Sequence, residues 1–114
     1  MTKTAISLKV KAAPDSLRDI FGSAEPKEGQ SIPIAPGAEL VHQHHMIRQG
    51  LIESGVIITA IVQITVGVTT KVVADWIGEK LKQKGTVQID GKLVDAADHT
   101  AIQSALDDAL KRSK

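Results

Sequence analysis

The sequence predicts an α/β domain of the α+β kind: an N-terminal strand, a short helix, a long central apolar helix, a β-hairpin and a C-terminal helix. Three observations predict it. Residues 4–11 alternate between apolar and polar side chains. Residues 54–84 make up the one long apolar stretch and carry a polar stripe at helical spacing. Residues 86–94 read as two short strands around Asp90-Gly91, and an amphipathic run follows them.

Each element has a local reason. In 4–11, Ile6, Leu8 and Val10 point one way and Ser7, Lys9 and Lys11 the other, as in a strand with one wet face. Pro14 suits a first helical position, Leu17, Ile20 and Phe21 give an apolar edge, and Gly22 supplies a stop. Residues 22–37 hold Pro26, Pro33, Pro36, Gly29 and Gly37. They read as a loop with a short extended piece at 31–35. Residues 38–53 (AELVHQHHMIRQGLIE) read as a helix with Leu40, Val41, Ile47, Leu51 and Ile52 as its apolar positions, and Ser54-Gly55 as the bend that ends it.

The central stretch supports two readings. Between Val56 and Val68 every even position is apolar, and all of residues 56–70 except Ala60, Gln63 and Gly67 are β-branched, which favours a strand. Thr59, Gln63, Gly67, Thr70, Lys71, Ala74, Asp75 and Gly78 recur at steps of three and four, which favours a helix. The helical stripe continues unbroken into 70–84, so the helix is the expectation for 54–84. About thirty helical residues would measure about 45 Å, against a diameter of roughly 35 Å for a compact domain of this size. Such a helix must break, with Gly55, Gly67 and Gly78 as break points, or project into a partner or a membrane.

Beyond it, Asp90-Gly91 is a tight-turn dipeptide between strands 86–89 and 92–94. In 95–111, Ala101, Ile102, Ala105, Leu106, Ala109 and Leu110 share one helical face. Asp95 or Asp98 caps the start, and Lys111, Arg112 and Lys114 suit the negative end of the dipole. The whole chain, 1–114, reads as one domain.

Composition narrows the function. A net charge of +1 offers no pull on a polyanion, and one Phe, one Trp and no Tyr give single-stranded nucleic acid little to stack on. The lack of cysteine excludes disulfides, zinc–thiolate sites and thiol nucleophiles. MTKTAISLKVKAA lacks the apolar run of a signal peptide, so a cytoplasmic location is expected.

Few residues suggest chemistry. On a helix, Glu39, His42 and His45 would share a face and offer a metal or pH-sensing site, with His44 beside them. No second ligand cluster and no HExxH follow, so a solvated histidine-rich face is the simpler reading. Asp107-Asp108 and Asp95 with Asp98 read as solubilising or capping acids. There is no GxSxG, GxGxxG or GxxxxGK, so neither an enzyme nor a cofactor is expected. Lys80, Lys82 and Lys84 read as cations at a helix end. Residues 54–70 carry no charge and reach the lower limit of a bilayer span, but Thr59, Gln63 and Thr65 suit lipid poorly.

The order of elements, with Gly67-Val68, the Val72–Lys82 run around Trp76 and the Val87–Gly91 strand and turn, resembles small bacterial proteins of the effector-associated constant component type, found beside variable effectors in conflict and defence systems. The resemblance covers roughly the last 60 residues; the histidine cluster lies outside it. It implies an interaction role with no chemistry of its own.

The expected function is therefore a non-catalytic module that forms a homo-oligomer or binds a protein effector. The expected interface is the apolar face of the central helix: Ile57, Ile61, Ile64, Val68, Val72, Trp76 and Ile77. A membrane-associated protein inserting 54–70 is the alternative, and a sensor using Glu39, His42 and His45 the third.

Overall fold

A computed structural model describes residues 3–23, 25–49, 54–65, 67, 70–81 and 85–112. In chain order the elements are β1 (Lys3–Ala12), α1 (Ser16–Phe21), β2 (Ser31–Ala35), β3 (Ala38–Gln49), β4 (Ser54–Thr65), α2 (Thr70–Lys80), β5 (Thr86–Ile89), β6 (Lys92–Asp95) and α3 (His99–Arg112). The six strands form one antiparallel sheet in the order β2-β3-β4-β1-β5-β6.

The long central helix is not there. Its first half is the strand β4, and only its second half, α2, is helical. The polar stripe that suggested a helix has a simple cause. Thr59 and Gln63 are four apart, and four is also a multiple of two, so a strand puts them on one face as readily as a helix does. With that stripe neutral, the β-branched side chains decide, stiff at χ1 and well suited to a pleated surface. β4 pairs along its length with β1 on one side and β3 on the other. Its 12 residues reach about 40 Å, close to the 45 Å long axis of the molecule. The change from strand to helix falls between Thr65 and Thr70, where Gly67 has a φ of 101°, open to glycine. Val68 and 82–84, also part of the expected helix, lie outside the described residues.

The helix expected over 38–53 is also a strand, β3, as far as Gln49; residues 50–53 lie outside the described residues. β2 occupies the extended piece of the Pro/Gly segment. The two-residue Pro36-Gly37 turn, with Gly37 at φ 86°, folds it back onto β3.

Side chains sort by parity. Ile6, Leu8 and Val10 of β1, Val56, Ile58, Ala60, Val62 and Ile64 of β4, and Val87 and Ile89 of β5 are buried on one face. The three helices pack there, adding Leu17, Ile20 and Phe21 from α1, Val73, Ala74 and Ile77 from α2, and Ile102, Ala105, Leu106 and Ala109 from α3 to a single core cluster. α1 ends at Gly22, whose left-handed backbone lets its N–H reach the Arg18 carbonyl at 2.8 Å. Asp98 caps α3 by accepting the Ala101 N–H at 3.0 Å.

The α2–α3 seam is polar at its rim. Thr70 Oγ1 donates to Asp107 at 2.6 Å, and His99 Nδ1–H donates to Asp75 at 3.1 Å. The Lys71 ammonium, and then His99, hold the Asp75 carboxyl below its ordinary value. The His99 ring lies flush on Gly78, where any Cβ would overlap it. Gly78→Ala is therefore expected to expel the His99 ring and lower stability by about 1–3 kcal/mol. Chemical denaturation measures that loss, and an NMR spectrum showing His99 released from Asp75 identifies its cause.

Candidate functional site

The opposite face of the sheet is bare: among the described residues no helix lies on it. Register fixes its map. Ser31, Val41, Ile61 and Ser7 stand in one row across β2, β3, β4 and β1. Met46, Ile57, Lys11 and Thr86 stand in another across β3, β4, β1 and β5. Between them run His44, Thr59, Lys9 and Gln88. This face thus carries two apolar pairs, Val41 beside Ile61 and Met46 beside Ile57, with His44 and Thr59 between them. Lys9 and Lys11 flank these pairs on β1. Val41, Ile57 and Ile61 are partly exposed, and Met46 is 56% exposed. One end holds a shallow depression of about 280 Å³ lined by Pro33, Glu39 and Gln63 among others.

The residues expected to form one interface are divided among three places. Ile57 and Ile61 lie on the bare face. Ile64 and Ile77 are core, 3% and 2% exposed. Val72 and Trp76 belong to α2 on the other side. Val72 is exposed, while Trp76 packs partly against the core with the Lys80 ammonium 5.8 Å from its ring. Val68 lies outside the described residues. Val41 and Met46, which sequence reasoning missed, join Ile57 and Ile61. Their signal was present but needed β3 to be recognised as a strand with a fault in it.

That fault is a β-bulge. His42 pairs with Ala60 and His44 with Thr59, leaving Gln43 as an extra residue. Without it, His42 and His45 would face opposite sides of the sheet. With it, both turn inward, and Nε2 of His42 lies 2.9 Å from Nδ1 of His45. His42 is 2% exposed and packs edge-on against Phe21 of α1, with ring centroids 5.1 Å apart. Its Nδ1 is 3.0 Å from the Lys27 carbonyl. Glu39 does not join them. It pairs with Gln63 and Pro33 on the bare face, because a strand, unlike a helix, separates positions three apart. Among the described residues no group of three His, Cys, Asp or Glu side chains could hold a metal ion.

No family, curated protein or solved structure matches this chain. Among the described residues, no helix is long and apolar enough to cross a membrane.

Proposed function

We propose that this chain is a non-catalytic interaction module, and that its bare sheet face docks against the same face of a second copy. The observation that carries this reading is the two apolar pairs, Val41 with Ile61 and Met46 with Ile57, on a face that no helix covers among the described residues.

Two further features support a face rather than an edge. β2 carries Pro33, which has no N–H to donate, and its register shifts between Pro33 and Ala35. β6 is only 4 residues long. Short or proline-bearing edges are poor templates for adding a strand. Two sheets packed face to face, by contrast, bury alternate side chains about 10 Å apart. The four apolar side chains are already partly covered, so each gains only on the order of 1 kcal/mol on docking. Against the entropy of association this makes a weak, concentration-dependent pair. In the conflict-system setting that the resemblance implies, a protein effector would compete for the same face.

Light-scattering mass across a concentration series tests this reading. The expected result is a mass that rises toward twice that of one chain and stays at one chain in Ile61→Lys. A wild-type chain that remains single at every concentration overturns it.

A further inference from the structure

The histidine pair lies on the helix side of the sheet, away from the bare face, and has a separate use. The turn from Lys27 to Gln30 closes through the Gln30 N–H, which donates to the Lys27 carbonyl at 3.0 Å. The same carbonyl accepts the Nδ1–H of His42. On the main chain, Gly29 N–H donates to the His42 carbonyl at 2.7 Å, and His42 N–H to the Gln30 carbonyl at 2.8 Å. Gln30 Nε2 reaches the Phe21 carbonyl at 3.3 Å. His42 therefore fastens the connection between α1 and β2 onto β3.

A carbonyl only accepts, so Nδ1 of His42 carries a hydrogen. In the neutral ring Nε2 is then a lone pair, and His45 Nδ1–H must be its donor. A proton added to Nε2 of His42 removes that acceptor and sets two N–H groups against each other at the 2.9 Å separation.

We propose that the His42–His45 pair is a proton-operated clasp, which holds the Lys27–Gln30 turn on β3 and releases it when His42 is protonated. The groups around His42 agree with this. Burial, above all, keeps its pKa below the ordinary 6.5, and the nearby His45 and His44 add to the effect. The Lys27 carbonyl and Glu28 of the turn oppose it. Phe21 of α1 and Ala60 and Ile58 of β4 bring no charge. The folded ring thus releases its proton more readily than the unfolded one. Between the two pKa values the open form holds more protons. The clasp is complete above pH 6.5 and weakens as pH falls below it.

Amide hydrogen exchange read by NMR at about pH 7.5 and about pH 5 tests the clasp. Protection of the Gly29 and His42 amides, corrected for intrinsic rates, is expected to fall by up to about tenfold for each unit separating the two pKa values. Amides of the β1–β4 ladder are expected to hold. His42→Gln, which cannot charge, is expected to abolish the pH dependence, and His44→Gln to retain it. If His42→Gln does not fold, His45→Gln serves: Gly29 is expected to lose protection already at neutral pH. Protection that is constant down to pH 5, or that falls equally in His42→Gln, or that survives intact in His45→Gln at neutral pH, overturns the proposal.

Discussion

Ile58→Ala is expected to lower unfolding free energy by about 2–5 kcal/mol, a large part of the 5–15 kcal/mol typical of a folded domain. Ile58 is 1% exposed and stands between Val10 of β1 and His45 of β3. The sheet cannot close over the lost methyl groups, because both neighbours hold its backbone in register. Ile57→Ala removes the same atoms one residue away, on the bare face, where water already reaches the side chain. Its cost is expected to be about 1 kcal/mol. The pair Ile61 and Val62 repeats the contrast, with Val62 fully buried. Denaturant titrations followed by the fluorescence of Trp76, the single tryptophan, measure all four. Equal costs at neighbouring positions would contradict the strand, since a helix would place 57, 58, 61 and 62 together.

Gly85→Ala is expected to cost about 2–5 kcal/mol, from two sources that add. Gly85 has φ 91°, a conformation in which any Cβ is strained, and that Cβ would overlap the Lys11 carbonyl oxygen. The oxygen cannot retreat, because Lys11 is held between Ile57 and Thr86 in the sheet. Gly29 separates the two sources. Its φ is 85°, but nothing lies within 4 Å of the position of its Cβ, so Gly29→Ala is expected to show the backbone strain alone, about 1–2 kcal/mol. The same titrations give both numbers, and equal losses would show that the overlap costs nothing.

The parts legible in the sequence are those in which one signal acts alone. Alternation at Ile6, Leu8 and Val10 marks β1, Asp90-Gly91 marks the β5–β6 hairpin, and the Ala101–Leu110 spacing marks α3. β4 is ambiguous in the sequence because residues spaced by four fit both periods, so the deciding information lies in side-chain shape. β3 imitates a helix because the extra Gln43 breaks its alternation midway. His42 and His45 do share a face, but through the bulge rather than a helical turn. Of the expected interface, Ile57 and Ile61 lie together because odd positions of β4 face outward, while Ile64 and Ile77 went to the core. No periodicity along one segment could bring Val41 and Met46 to them, since that contact depends on the pairing of two strands.

β1 occupies the interior of the sheet, between β4 and β5. During synthesis it leaves the ribosome before either neighbour has been made. Its partner in β4 begins at Ser54, and Ile89, which pairs with Leu8, comes later still. β3 and β4 are close in sequence and can pair first, whereas β1 must keep Ile6, Leu8 and Val10 in waiting until most of the chain has emerged. Such distant pairing slows folding and prolongs the exposure of apolar chain. The insertion of β1 is therefore the step at which apolar chain stays uncovered longest.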